Sequence, residues 1–198
     1  MARNPAPSDS YRCYDDLARR FAEGIDFAVH LRRCERSAVA ILAPHGGCIE
    51  GGTSEVARLI AGDEHGLYLF EGLRTTGDNF ACLHLASHCF DEPRCLELIR
   101  DCDTVISVHG FAAAAPDVLL GGLDERLKQL LADALTACGF SVLSHGHRFP
   151  GRDPRNICNR GRGGEGVQLE LSEELRASGD RLGFADAVRS VIDCSASV

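Results

Sequence analysis

Short apolar runs alternate with longer amphipathic segments along this chain of 198 residues, and the alternation limits the folds open to it. The apolar runs have the length of β-strands, whereas the amphipathic segments place apolar residues at helical spacing. The pattern predicts strands at 37–43, 67–70, 81–85, 104–108, 118–120, 140–143 and 167–171, and helices at 53–61, 94–101, 124–138 and 184–194. Strands that alternate with helices are typical of an α/β domain with a parallel or mixed sheet.

Two of the predicted helices carry clear end signals. For the helix at 53–61, Thr53 or Ser54 is the expected N-cap and Gly62 the expected stop. The helix at 124–138 is followed by Gly139, at the position where a left-handed glycine usually ends a helix. These two segments are therefore expected to be well-formed helices.

The composition indicates one globular domain over residues 1–198 and excludes several classes of protein. With a net charge of −8, the chain lacks the broad basic face that non-specific nucleic-acid binding needs. No apolar stretch approaches the roughly 20 residues that span a bilayer. Residues 1–15 are polar and lack the apolar core of a secretory signal, so residues 1–12 are predicted to be a flexible arm and the protein to be cytoplasmic.

Ten cysteines lie along the chain, and no two of them form a C-x-x-C pair. The missing spacing argues against a zinc ribbon or a thioredoxin-type site. Cys82, Cys138 and Cys194 lie in apolar runs, where a reduced cysteine behaves as a small buried hydrophobe. A chain that is long enough to bury a core is not expected to need a disulfide framework.

Two of the predicted strands end at a histidine that is followed by glycine. These histidines are His45 and His109, and Glu50 follows the first of them closely. Because ligands bind at the carboxyl ends of strands in open α/β sheets, the two imidazoles are expected to lie close together. Two imidazoles and one carboxylate suit zinc and leave a fourth position for water or substrate. The residues therefore indicate a zinc hydrolase.

Glu170 is the predicted general base of this site. It lies in the predicted strand 167–171, on the face opposite to the apolar residues. Glutamate is disfavoured in strands, which indicates that the site uses it, although a solvent-facing residue on an edge strand is the alternative. A hydrolytic site needs a group that takes the proton of the attacking water and returns it to the leaving amine.

Further polar residues leave their roles open. His84 and His88 are either additional ligands of the site or ordinary loop residues, and Cys48 is a rival nucleophile close to His45. Between Arg148 and Arg162 this acidic chain has five arginines and one acid. Such a basic loop indicates a local site for an anionic ligand, because arginine binds carboxylates in a bidentate way.

Eight segments together resemble the phage-type poly-γ-glutamate hydrolases, a family similar to the carboxypeptidase A-like zinc peptidases. They are 43–47 (APHGG), 52–55 (GTSE), 69–73 (LFEGL), 90–93 (FDEP), 108–110 (VHG), 121–124 (GGLD), 156–160 (NICNR) and 166–170 (GVQLE). The resemblance extends from about residue 38 to residue 176, which is most of the chain.

The resemblance implies a three-layer α/β/α fold around a mixed, mostly parallel sheet, with Glu170 as the catalytic carboxylate. It implies cleavage of a γ-glutamyl amide bond in an anionic polymer or peptide. Three side chains would hold zinc: His45, Glu50 and His109. Three others would hold substrate carboxylates: Arg160, Asn156 and Asn159.

Two other functions are compatible with the same residues. One is an amidase that acts on N-acylglutamates or on peptidoglycan through the same zinc site. The other is a catalytically inactive binding module for anionic polymers, encoded by a phage or prophage. The chemistry of the site is shared, whereas substrate specificity depends on the shape of the loops. The sequence therefore leaves these alternatives open.

Overall fold

The computed structural model describes residues 11–113, 115 and 117–195. Its strands are β1 (Phe27–Arg32), β2 (Val39–Gly47), β3 (Gly66–Gly72), β4 (Thr104–Phe111), β5 (Val118–Gly122), β6 (Val142–Leu143) and β7 (Val167–Ser172). Its α-helices are α1 (Tyr14–Ala18), α2 (Thr53–Ala61), α3 (Asn79–Leu83), α4 (Pro93–Ile99), α5 (Glu125–Ala137), α6 (Glu173–Ala177) and α7 (Arg181–Ser195). A 3-10 helix covers Ile157–Arg160.

The strands form one mixed sheet in the order β1-β3-β2-β4-β7-β5-β6. The central strands β3, β2, β4 and β7 run parallel to one another, whereas β1 and β5 pair antiparallel with β3 and β7. The predicted α/β class with a mixed, mostly parallel sheet is confirmed. Because β2 and β4 are parallel neighbours, their carboxyl ends lie at the same edge of the sheet.

Alternate residues of the central strands pack into two hydrophobic cores, one on each face of the sheet. In β2, Ile41 faces the core that includes α2, α5 and α7, whereas Leu42 faces the core that includes α1, α3 and α4. Both side chains are fully buried. Truncation of such a residue, as in Ile41→Ala, costs about 2–5 kcal/mol of unfolding free energy. Two helical layers therefore hold the sheet, and with it the strand ends, in place.

The predicted strand at 81–85 is wrong, because this region begins with the short helix α3. Asp78 is its N-cap, and the Asp78 carboxylate accepts a hydrogen bond from the Ala81 N–H at 3.0 Å. The buried residues of α3 recur at helical spacing. A short apolar run is compatible with a strand or a helix, and the capping carboxylate favours the helix here.

Two central strands extend beyond their predicted ends. β2 continues through Pro44, and its register with β3 shifts between Ala43 and Gly46. The ladder is already interrupted at this bulge, so the missing N–H of proline is tolerated. β4 is also longer than predicted, and His109 lies within the strand rather than after it.

The helix α2 has the predicted bounds, but its N-cap is Gly52 rather than Thr53 or Ser54. Gly52 has a φ of +90°, a left-handed conformation that favours glycine. The Thr53 hydroxyl instead donates a hydrogen bond to the Glu50 carbonyl oxygen at 2.8 Å. This threonine therefore supports the turn that carries Glu50.

The N-terminal region also differs from the prediction. Of the predicted arm 1–12, residues 1–10 lie outside the described residues. Tyr11 is buried, and its hydroxyl donates a hydrogen bond to the Cys82 carbonyl oxygen at 2.9 Å. Tyr11 is therefore part of the packed structure rather than of a free arm. The helices α1 and α6, the strand β1 and the 3-10 helix have no counterpart in the prediction.

The cysteine predictions are confirmed at one of three positions. Cys82 is buried, whereas Cys138 and Cys194 are exposed. Cys138 is the C-cap residue of α5, and Cys194 lies in the last turn of α7, where the helix surface faces solvent.

Within the described residues, no helix combines the length and the apolarity needed to cross a membrane.

Candidate active site

His45, Glu50 and His109 converge at the carboxyl edge of the sheet. One ligand atom from each residue lies within 4.8 Å of the others. His45 Nδ1 is 3.1 Å from Glu50 Oε1 and 3.1 Å from His109 Nδ1, and His109 Nδ1 is 3.8 Å from Glu50 Oε2. Both imidazoles are almost completely buried. The three predicted metal ligands therefore form one compact cluster.

The turn between β2 and α2 brings Glu50 back toward the strand that carries His45. The Glu50 N–H donates to the His45 carbonyl oxygen at 2.9 Å, and the Gly110 N–H donates to Glu50 Oε2 at 2.8 Å. At Gly47, φ is +60° and a Cβ would lie 2.6 Å from the Gly72 carbonyl oxygen. Only glycine fits this approach of two backbones, so the turn depends on Gly47.

The hydrogen bonds of the histidines orient both Nδ1 atoms toward one point. His45 Nε2 lies 2.8 Å from the Leu85 carbonyl oxygen, which can only accept, so Nε2 carries a proton. His109 Nε2 lies 3.2 Å from the Ser107 hydroxyl. Both Nδ1 atoms therefore face Glu50 and each other. Metal-binding histidines commonly bond their second nitrogen in this way, so the donor set fits a divalent cation.

The buried groups of this cluster shift one another's pKa values. Burial would raise the pKa of Glu50, but the charge and hydrogen bond of His45, with His109 and the Gly110 N–H, lower this pKa to about 2. Burial would lower the pKa of His45, yet Glu50 and the Leu85 carbonyl raise it. Burial and then the charge of His45 lower the pKa of His109 to about 3. Because metal ligation needs unprotonated imidazole nitrogens, a cation at this point would compete with protons for the same atoms.

Glu170 lies beside this cluster on the neighbouring strand. In the register of β4 and β7, Glu170 is the partner of His109. Burial, and then the negative charge of Glu50, raise the pKa of Glu170 to about 8, against the opposing effects of Arg148, Gln168 and Arg176. A carboxyl group whose pKa is near neutral can both accept and donate a proton.

A cavity of about 1170 Å³ opens over these residues. His45, Glu50, His109 and Glu170 all line it. The wall also carries four arginines from two regions of the chain: Arg148, Arg152, Arg176 and Arg181. The cavity therefore combines a floor of imidazoles and carboxylates with a wall that includes four arginines.

Of the three predicted substrate ligands, Asn156 lines the cavity, and Asn159 and Arg160 are not among the described residues that do so. The Asn159 amide donates to the carbonyl oxygens of Gly151 and Asp153 at 2.8 and 3.0 Å. Arg160 donates to the Phe90 carbonyl oxygen at 3.3 Å. Asn159 and Arg160 thus hold loops together, and their placement does not support a contact with substrate.

Two histidines whose role the sequence left open, His84 and His88, line the cavity. The ring centroid of His84 lies 4.1 Å from that of His45, and His84 Nε2 lies 3.8 Å from Glu50 Oε1. Cys48 is exposed and does not belong to the described cavity wall. The histidines are therefore better placed than the cysteine to contribute to the site.

The sequence reasoning missed Arg176. This residue lies on α6, and its guanidinium donates to the carbonyl oxygens of Gly51, Leu171 and Phe111, so it joins three segments at the edge of the cavity. Ser172 followed by two glutamates is a typical start of a helix, and this signal would have predicted the helix that carries Arg176.

The family model described as poly-γ-glutamate hydrolase matches residues 11–182. The prophage-derived protein YoqZ of Bacillus subtilis is 45% identical over 140 residues, which cover 70% of this chain and 50% of YoqZ. YndL of the same organism is 42% identical over 172 residues, which cover 86% of this chain and 66% of YndL. The chain thus spans between half and two thirds of the length of these relatives.

Two solved structures share the fold. A bacteriophage poly-γ-glutamate hydrolase superposes with a TM-score of 0.88 at 28% identity, over 94% of this chain and 98% of that chain. A zinc-free apo structure of YndL superposes with a TM-score of 0.85 at 32% identity, with the same coverage of 94% and 98%. Sequence and structure lead to the same conclusion: the chain belongs to the poly-γ-glutamate hydrolase family.

Proposed function

We propose that the protein is a zinc-dependent amidohydrolase that cleaves γ-glutamyl amide bonds in poly-γ-glutamate or a related acidic polymer. One observation carries the proposal: the cluster of His45, Glu50 and His109 forms the floor of a cavity whose wall includes Glu170. The family membership and a relative whose structure is described as zinc-free support it.

His45, Glu50 and His109 would hold the metal ion. Two imidazole nitrogens and one carboxylate oxygen are a ligand set that zinc accepts, with a position left for water or substrate. When bound, zinc would polarise the amide carbonyl and increase the acidity of a water molecule. The hydrogen bond that His45 donates to the Leu85 carbonyl oxygen and the one that Glu50 accepts from the Gly110 N–H keep both side chains oriented for this role.

Glu170 would move the proton during hydrolysis. Its carboxylate would accept a proton from the attacking water and deliver it to the amide nitrogen, which leaves as an amine. Glu170 is the register partner of His109, so it lies next to the proposed metal ligands without being one of them. General acid-base catalysis of this kind typically contributes about 10²- to 10⁴-fold to the rate.

Arg148 is the best-placed group for a carboxylate of the substrate. Arg152 pairs with Glu125 at 2.7 Å, Arg181 donates to the Arg176 carbonyl oxygen at 3.4 Å, and Arg176 is bound to backbone carbonyls. Among the described residues, Arg148 has no carboxylate at ion-pair distance, and its guanidinium lies over the Phe149 ring at 4.7 Å. It is therefore available for an anionic polymer, the partner that we propose.

Zinc analysis combined with a substrate panel tests the proposal. We expect about one zinc per chain and release of products from poly-γ-glutamate. Short γ-glutamyl peptides and N-acylglutamates are the comparison substrates. Absence of stoichiometric zinc, or turnover of N-acylglutamates without cleavage of the polymer, would contradict the proposal. An inactive binding module would bind the polymer without turnover of any substrate.

A further inference from the structure

Two buried hydrogen bonds made by amide side chains connect the start of the 3-10 helix to Glu170. Asn156 Nδ2 donates to Gln168 Oε1 at 2.8 Å, and Gln168 Nε2 donates to Glu170 Oε1 at 2.8 Å. All three side chains are almost completely buried. Gln168 and Glu170 are two residues apart on β7, so both side chains lie on the same face of the sheet.

One backbone group sets the orientation of both side-chain amides, those of Asn156 and Gln168. The Cys158 N–H donates to Asn156 Oδ1 at 3.2 Å. A backbone N–H can only donate, so Asn156 must present its NH₂ group to Gln168. Gln168 then accepts through its oxygen, and its own NH₂ group is left to face Glu170.

The surroundings of Gln168 also limit its movement. A Cβ added at Gly151 would lie 3.4 Å from Gln168 Oε1 and 3.5 Å from its Cβ, so the loop that contains Gly151 packs closely against this side chain. Gly151 has a φ of +59°, a conformation that favours glycine. Gln168 is therefore held by packing as well as by hydrogen bonds.

We propose that Gln168 is a positioning residue for Glu170, and that Asn156 acts through Gln168 rather than as a ligand of the substrate. The inference rests on the proposed role of Glu170 in proton transfer. The donor at Oε1 holds the carboxyl group in one orientation and leaves Oε2 for the reaction. Asn156, which the family resemblance assigned to the substrate, thus supports the catalytic carboxylate through Gln168.

The first test compares Gln168→Met with Gln129→Met, a matched control in which the glutamine is exposed and bonded to Asp133 on α5. Methionine keeps the approximate volume of glutamine and removes the donor. We expect Gln168→Met to lower kcat on a defined γ-glutamyl peptide by about 10- to 100-fold, with KM and zinc content within about twofold of wild type. The control should keep wild-type kcat. A Gln168→Met enzyme with normal kcat would overturn the proposal.

A double-mutant cycle shows whether Gln168 acts through Glu170. In a Glu170→Gln background, Gln168→Met should change the residual rate by less than about twofold, because the group that it positions is gone. An equal loss in both backgrounds would mean that Gln168 acts directly on the substrate. If Glu170→Gln alone keeps full activity, the proposed function fails, whereas an inactive Glu170→Gln with a normal Gln168→Met contradicts only this inference.

Two further variants keep the test decisive if Gln168→Met does not fold. Gln168→Glu keeps the size of the side chain but removes the donor, so kcat should fall at least as far as in Gln168→Met. Asn156→Ala should lower kcat by about 3- to 10-fold with KM unchanged, because one neutral hydrogen bond is lost. A normal kcat in Gln168→Glu, or a raised KM with normal kcat in Asn156→Ala, would overturn the proposal.

Discussion

The two ends of the parallel strands carry similar residues in different arrangements. At the carboxyl end, His45, Glu50 and His109 place their ligand atoms within 4.8 Å of one another. At the amino end, a second cavity, of about 830 Å³, is lined in part by His65 and Asp193. There, the Ser37 hydroxyl lies 2.8 Å from His65 Nδ1, and Asp193 Oδ1 lies 3.2 Å from His65 Nε2.

The difference lies in how the polar atoms are satisfied. His65 forms a hydrogen bond with Ser37 at Nδ1 and has the Asp193 carboxylate at ion-pair distance from Nε2, so its contacts are pairwise. At the carboxyl end, two imidazole nitrogens and a carboxylate face one another, and they need a proton or a cation between them. Residue type alone therefore does not make a metal site; convergence of lone pairs does.

The largest expected effect separates the two ends directly. His109→Ala removes one of the converging donors, so we expect loss of bound zinc and a fall in kcat/KM of about 100- to 1,000-fold or more. His65→Ala should keep zinc and activity within about twofold, and should lower the unfolding free energy by about 1–2 kcal/mol because the Ser37 hydrogen bond and the Asp193 contact are lost. Metal analysis, kinetics and denaturant unfolding measure these quantities. Full activity in His109→Ala would show that the cluster at the carboxyl end is not needed for catalysis.

The next effect separates proton transfer from metal binding among the residues at the carboxyl end. Glu170→Gln should lower kcat by about 10²- to 10⁴-fold because the proton acceptor is lost, while zinc stays bound through the other three side chains. Glu174→Gln, an exposed glutamate on α6, is the matched control and should keep wild-type kcat. Loss of zinc in Glu170→Gln would show that Glu170 is a ligand instead.

A smaller effect is expected for recognition of the anionic substrate. Arg148→Met removes the cavity arginine that lacks a carboxylate partner among the described residues, so KM for poly-γ-glutamate should rise about tenfold, with a smaller change in kcat. Arg162→Met is the control, because Arg162 pairs with Asp103, which lines the cavity at the amino end. Equal KM changes in both variants would show a general charge effect.

The smallest effect concerns stability and pH in protein treated with a chelator. The pKa of Glu170 in the folded protein is raised to about 8. Between about pH 4.5 and pH 8 the unfolded chain therefore loses this proton while the folded protein keeps it. Stability is therefore lost as pH rises from about 4.5 to 8. Glu170→Gln removes this loss, so its Tm relative to wild type should increase between pH 5 and pH 9. A Tm difference independent of pH would contradict the raised pKa.

Much of the fold could be predicted from local patterns. Helical spacing and the glycine after it located α5, and apolar runs located the buried strands β2, β4 and β7. The edge strand β1 was missed, since several of its residues are partly exposed and carry no strong apolar signal. The strand predicted at 81–85 failed because a short run of apolar residues has no period long enough to distinguish the two structures.

The candidate site was predictable to the same extent. His45, His109 and Glu170 stood out because polar residues followed or interrupted apolar strands. Asn159 and Arg160 were assigned to the substrate by the family resemblance, and in the structure their hydrogen bonds tie loops together. Residue type shows what a side chain can bind, and the fold determines which partner it meets.

By itself, the sequence determined the α/β class, the buried strands and the identity of the converging ligands, because these depend on periodicity and chemistry within short segments. Only the tertiary structure decided that Gln168 and Asn156 stand behind Glu170, that Arg148 is available in the cavity, and that His65 is held by pairwise contacts. Most of these relations join different elements of the fold, such as the 3-10 helix region with β7, or Ser37 with His65. Strand order and loop packing bring such residues together, and no local pattern encodes that distance.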